Sequence, residues 1–164
     1  MTSAKEASWS RTLNVGTLNG KSRELADLVE RKNIQTMCLQ ETRWKGEKAK
    51  EIGNGVKIFY KGEDSEKNGV SIAISESIKD SVSAVRRVSD RIMSLRMETK
   101  VVCWTTISVY APQTGCPEKD KDEFFVALDD VIKSVPDDDF LTIAGDLNGH
   151  VGSDRRGLER VHGG

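Results

Sequence analysis

Aromatic residues are scarce in this chain of 164 residues, at 5% of positions. A hydrophobic core must therefore be built from Val, Ile, Leu and Met. Cysteine is scarcer still, with Cys38, Cys103 and Cys116 alone. Their odd number and lack of metal-ligand spacing argue against a disulfide framework and against zinc chemistry of the Cys/His kind. Cys38 and Cys103 sit inside apolar runs and read as small buried hydrophobes, which points to a reducing, intracellular compartment. No stretch approaches the roughly 18–20 apolar residues of a membrane span, and the opening MTSAKEASWSR has no apolar segment of the secretory kind. No membrane partner is expected. Two further chemistries lack their motifs. GTLNGKS at 16–22 does not have P-loop spacing, and no serine-nucleophile elbow occurs.

The length is that of one ordinary domain, and a 37% hydrophobic, 31% charged composition gives one core with a solvated surface. The net charge of −1 hides an asymmetry. Residues 1–116 carry 19 Lys and Arg against 14 Asp and Glu, whereas residues 117–164 carry 6 against 12. The acidic end reads as a solvated helix face. The mildly basic first part is compatible with a polyanion without requiring one.

Periodicity divides the chain into elements. RTLNVG (11–16) is a strand ending in a glycine turn. KSRELADLVERK (21–32) places Leu25, Leu28 and Val29 on one face of an amphipathic helix. IQTMCLQE (34–41) is a second apolar strand. Strand, helix and strand in this order predict parallel pairing through a right-handed crossover. GVKIFYKG (55–62), NGVSIAIS (68–75), DSVSAVRRV (80–88), RIMSLRME (91–98) and VVCWTTISVYAP (101–112) are short β-branched runs that predict mostly antiparallel strands, with a turn at KNGV (67–70). PEKDKDEFFVALDDVIKSVP (117–136) is a helix with Phe124, Leu128, Val131 and Ile132 inward, opened by Pro117 and stopped by Pro136. DDDFLTIAG (137–145) is a further strand, central in character. The expectation is an α/β layered domain over residues 11–164, after a flexible N-terminus of residues 1–10.

Polar residues gather where the strands break: Asn14, Glu41, Tyr110, and Asp146 with Asn148 in GDLN. Strand ends distant in sequence converge in open α/β sheets, and ligands bind there. Two carboxylates, two amides and a phenol are hard oxygen donors of the type that suits Mg²⁺. Each residue alone also has a plain reading. Asn14 can bond a turn, Glu41 can cap the next segment, Tyr110 can be a core ring, and GDLNG can be a turn. His150 and His162 read as solvated bystanders. The lysines and arginines of 43–50 and 86–96 read as mostly solvated faces, with phosphate contact as the alternative.

Taken in order, LNVGTLNGK, LQETRWKG, NGVSIAI, SDRIMSLRME, ISVYAPQTG and IAGDLNGHVG resemble the endonuclease/exonuclease/phosphatase superfamily. Within it they are most similar to the apurinic-endonuclease-like domain of RTE-type non-LTR retrotransposons, and craniofacial development protein 2-like sequences look similar. The resemblance spans residues 11–164. It implies a four-layer α/β/β/α sandwich and Mg²⁺-dependent phosphodiester hydrolysis, with Mn²⁺ as an alternative metal. It also implies a DNA substrate that is nicked, a reverse transcriptase domain in a full-length parent, and nuclear action. Oligomeric state is left open. On the matching positions Glu41 is the principal metal ligand and Asn14 supports it. Tyr110 faces the scissile phosphate, Asp146 orients or activates water, and Asn148 positions phosphate.

The chain departs from that pattern in three ways. Leu13 stands where many members have Trp, and Gly16 where many apurinic endonucleases have Asp. The family pattern also closes with an Asp and an Asp–His pair, and nothing after Asp146 matches them. The reading is therefore an N-terminal portion of the domain, its C-terminal part missing, with activity impaired or lost. A phosphatase of the same superfamily is the further alternative.

Overall fold

The computed structural model describes residues 8–147, so Asn148, His150 and His162 lie outside the described residues. Two β-α-β units frame the chain. The first is β1 (Ser8–Asn14), α1 (Ser22–Arg31) and β2 (Ile34–Gln40). The second is β8 (Cys103–Tyr110), α2 (Glu118–Lys133) and β9 (Phe140–Asp146). Between them run β3 (Gly46–Gly53), β4 (Val56–Gly62), β5 (Val70–Ile74), a 3₁₀ turn at Lys79–Ser81, β6 (Val82–Arg87) and β7 (Ile92–Glu98). The strands form a five-stranded sheet in the order β1-β2-β5-β4-β3 and a four-stranded sheet in the order β6-β7-β8-β9. β1 pairs with β2 and β8 with β9 in parallel, and every other pairing is antiparallel. This is the pairing that the crossover and hairpin signals predict.

The layers follow from which residues alternate inward. Leu25, Ala26 and Val29 of α1 pack on the outer face of the first sheet, against Met37, Leu39 and Ile58. Phe124, Leu128 and Val131 of α2 pack on the outer face of the second, against Ile92, Ile107 and Val109. Between the sheets, Cys38, Phe59, Val70, Ile72 and Ile74 meet Met93, Leu95, Met97 and Tyr110. The result is the expected four-layer sandwich, α1 and α2 outside and two sheets within. Ile72, Ile74 and Leu95 are fully buried, each contributing roughly 1.5–3 kcal/mol relative to exposure. Burial also pushes the Cys38 thiol up to about 12, so it behaves as the small hydrophobe expected; Cys103 is only half-buried. None of the described helices is long and apolar enough to cross a membrane.

Three local expectations are corrected. β1 starts at Ser8, three residues before the expected strand. β3 was not anticipated: GEKAKEIG is mostly exposed and charged, so it carries no alternating apolar signal. Its backbone is recruited by β4, and its charges suit an edge strand. β9, although apolar, ends the second sheet's order among the described residues; its Leu141 and Ile143 are covered by the α2 layer.

Where α2 hands the chain back to β9, Asp139 takes both prongs of Arg96, at 2.8 and 3.0 Å, and the Thr105 hydroxyl at 2.8 Å. The Asp139 side chain is 2% exposed. The Arg96 bonds hold its carboxyl below its ordinary range, aided by Thr105 and opposed by burial. The stabilisation from a lowered carboxyl is present above the unfolded value, about 3.9, and fades as pH falls through the folded one. Asp139→Asn should therefore melt below the parent at neutral pH, with the gap narrowing as pH falls through and below the ordinary carboxylate range. Thermal melts followed by circular dichroism check this; a gap constant with pH would count against the ion pair.

Candidate active site

Four strand ends meet at one end of the sandwich. Asn14 ends β1 beside Gln40 at the end of β2, and Tyr110 ends β8 beside Asp146 at the end of β9. β1 lies against β9 and β2 against β8, so the two parallel pairs face each other. Glu41 follows Gln40 directly. The Tyr110 hydroxyl donates to Glu41 Oε1 at 2.5 Å, joining the sheets. Glu41 Oε2 lies 3.8 Å from Arg43 Nη2, and the Glu41 side chain stays 22% exposed. The Tyr110 phenol is pushed up to about 12, first by burial, then by its bond to Glu41 and the carboxylate charge, with Gln113 and Arg91 opposing.

The backbone after β2 is bent to deliver Glu41. Glu41 and Arg43 have φ of 56° and 55°, the left-handed region, which costs a non-glycine residue of order 1–3 kcal/mol. Neighbouring bonds hold the bend. Thr42 N–H donates to Gly69 O at 3.3 Å, Arg43 N–H to Asn68 O at 3.0 Å, and Leu18 N–H to Thr42 O at 3.0 Å. Asn68 and Gly69 are the KNGV turn. Gly69 has φ +99°, and a Cβ there would come within 2.5 Å of Thr42 Oγ1. The turn expected from sequence is thus also the buttress of Glu41.

Asn14, Gln40 and Asp146 line a cavity of about 270 Å³ together with Thr12, Leu13, Gly145 and Leu147. Asn14 Oδ1 accepts the Gly16 N–H at 3.0 Å, so it serves a turn while facing the cavity. Gln40 is 2% exposed and donates through Nε2 to Thr12 Oγ1 at 3.0 Å. Asp146 O accepts the Ala111 N–H at 2.8 Å. A Cβ on Gly145 would fall 1.9 Å from Val109 O, so glycine allows the β8 and β9 ends to lie this close.

The structure therefore brings Asn14, Glu41, Tyr110 and Asp146 to one sheet end, while Asn148 lies outside the described residues. The reading from sequence missed Gln40, Arg43 and Arg91. Gln40 had a signal, since it continues the inward alternation of Thr36 and Cys38 with a polar side chain. The arginines had none, because side-chain type does not separate a solvated guanidinium from a bracing one. Arg87 donates to Tyr60 O and Lys48 O, both at 3.1 Å, Arg96 binds Asp139, and Arg91 donates to Tyr110 O at 3.2 Å. These three are structural ties rather than solvated faces.

Among the described residues no three His, Cys, Asp or Glu side chains gather as a metal cage. What is present is an oxygen-donor set with one partly open carboxylate, able to hold a hard cation that keeps much of its water. Ultraviolet titration should show one tyrosine ionising near pH 12, a signal absent in Tyr110→Phe. Glu41→Gln should move it down, because the opposing negative charge is gone; an unmoved transition would mean that Glu41 does not contact the phenol.

No protein-family model matches the chain. Craniofacial development protein 2 from Bos taurus is 31% identical over 144 residues, covering 87% of this chain and 24% of that protein. The chain thus spans about a quarter of the length of the curated relatives it matches. Among solved structures, the 3′-5′ exonuclease NExo from Neisseria meningitidis superposes with a TM-score of 0.66 at 22% identity, over 85% of this chain and 57% of that one. NExo described as a 3′ phosphatase bound to a product DNA hairpin gives 0.64 at 21%, over 85% and 57%. The endonuclease domain of TRAS1, a telomere-specific non-LTR retrotransposon, gives 0.63 at 16%, over 92% and 68%. The chain is thus similar in sequence to a part of craniofacial development protein 2 and shares its fold with these solved nucleases.

Proposed function

We propose that this chain carries the divalent-metal site of a phosphodiester-cleaving enzyme, a retrotransposon-derived DNA endonuclease that nicks its target. The observation that carries the reading is the apposition of Glu41 and Tyr110 across the sheets, at 2.5 Å, beside the cavity lined by Asn14 and Asp146. Glu41, with Asn14 in support, would hold Mg²⁺ or Mn²⁺. Each carboxylate oxygen has two acceptor sites, so a bond to Tyr110 does not exhaust Glu41. When bound, the metal supplies positive charge against the charge that builds on the phosphate oxygens.

The chain's own groups do the rest. Tyr110, protonated throughout the neutral range, is a fixed donor beside the metal ligand and faces the phosphate. Asp146 orients water and takes its proton as the oxygen adds to phosphorus and the bond to the leaving oxygen breaks. Asn148 adds an amide donor for a phosphate oxygen, a role resting on the sequence motif. The ordered motifs and the likeness to the TRAS1 domain support action on nuclear DNA, with a reverse transcriptase domain as the partner in the parent polypeptide. A second reading, removal of a 3′ phosphate from DNA, is favoured by the likeness to NExo in its phosphatase description.

The test uses the complete reading frame containing these residues, incubated with supercoiled plasmid. Nicked circles should form with Mg²⁺ and not with chelator, and Glu41→Ala and Asp146→Asn should each slow nicking at least ~100-fold. Undiminished nicking by both variants rejects the site. Phosphate release from a 3′-phosphorylated oligonucleotide without nicking selects the second reading.

A further inference from the structure

We propose that Arg91 is the positioning residue of Tyr110, and that the Asp90–Arg91 step sets the Glu41–Tyr110 pairing across the two sheets; the catalytic part of this inference rests on the function proposed above. Tyr110 is the last residue of β8, where a strand end would ordinarily fray. Arg91, immediately before β7, prevents this from three sides. Its carbonyl accepts the Tyr110 N–H at 2.8 Å, continuing the ladder one residue past the strand. Its Nη1 donates to Tyr110 O at 3.2 Å. Its guanidinium carbon lies 5.3 Å from the centre of the Tyr110 ring. The Arg91 backbone is itself fixed, its N–H donating to Ser89 Oγ at 3.1 Å.

The preceding residue grips the other side of the site. Asp90 O accepts the Gly69 N–H at 3.2 Å, and Asp90 Oδ2 accepts Asn68 Nδ2 at 3.0 Å. Asn68 and Gly69 in turn accept the Arg43 and Thr42 N–H groups that hold the bend at Glu41. Two consecutive residues of the β6–β7 connection thus fix both partners of one hydrogen bond, Asp90 through the loop bearing Glu41 and Arg91 through Tyr110. Arginine suits this place because one planar group both covers a ring face and donates to a carbonyl. Lysine supplies the charge and a donor but no plane.

The experiment reads position and catalysis separately. The chain has two tyrosines, Tyr60 and Tyr110, so ¹³C-tyrosine labelling gives two ring signals by NMR. Arg91→Ala should move or broaden the Tyr110 signal and leave Tyr60 in place. On the nicking substrate it should lower kcat by about 10–100-fold, the scale of a displaced catalytic group, with KM and calorimetric Mg²⁺ affinity within about threefold. Arg91→Lys should restore part of kcat. In the Tyr110→Phe background, Arg91→Ala should cost less than about twofold more, because the residue acts through the phenol. An unmoved Tyr110 signal overturns the proposal, as does a raised KM at constant kcat, which would make Arg91 a substrate contact. Fully multiplicative losses in the double variant overturn it too. Should Arg91→Ala fail to fold, Arg91→Lys carries the test, and a Lys variant matching the parent in both signal and kcat overturns it. Because the NMR arm needs no catalysis, a protein that cleaves nothing sinks the nuclease reading alone.

Discussion

The hydrogen bond from Tyr110 to Glu41 joins the strand ends of two sheets whose shared interior is largely apolar. Apolar packing is strong but non-directional; it holds Ile72 and Leu95 together without specifying how one strand end sits opposite another. A bond of 2.5 Å to a carboxylate, made by a residue 4% exposed, is directional and strengthened by low local dielectric. It therefore sets where the ends of β2 and β8 lie relative to each other. The other features of this edge converge on it. The left-handed turns at Glu41 and Arg43 aim the carboxylate, Gly69 makes room for those turns, and Gly145 lets β9 lie close enough to place Asp146 beside Tyr110.

The space between the sheets changes character towards this edge. On the β4, β5 and β7 side it is filled by Phe59, Ile72, Ile74, Met93 and Leu95. On the β2 and β8 side, buried Thr36, Gln40, Thr106 and Ser108 take over. An apolar wall beside a carboxylate would oppose its charge, whereas hydroxyl and amide groups can solvate it. The same two sheets thus supply a stabilising core at one side and a polar floor for the site at the other.

Much of this was legible in the sequence because it is local. The period of α1, the apolar run of β2 and the proline-bounded α2 each carry their signal within a dozen residues, and both crossovers follow from them. The order of LNVG, LQET, VYAP and GDLN named the strand-end residues because strand ends are where an apolar run stops. The illegible parts depend on partners far along the chain. β3 has no apolar alternation of its own and exists because β4 pairs with it. Arg91 lies 19 residues from Tyr110 and Asp90 lies 22 from Asn68; nothing in SDR marks those contacts. Gln40 lies between, since its alternation was visible but its bond to Thr12 was not.

A site held this way has a fixed donor and acceptor order. With its hydroxyl pushed up to about 12, Tyr110 donates across the neutral range, so Glu41 must accept, and one carboxylate oxygen is always turned inward. The other lies 3.8 Å from Arg43 Nη2, on the side where the group is partly exposed. The carboxylate cannot rotate both oxygens outward without leaving a buried phenol unpaired, at a cost of roughly 1–3 kcal/mol. Presenting one oxygen inward and one outward is therefore the low-energy arrangement. It follows from the bond between the sheets rather than from anything bound at the site, so the site's polarity is set before a ligand arrives.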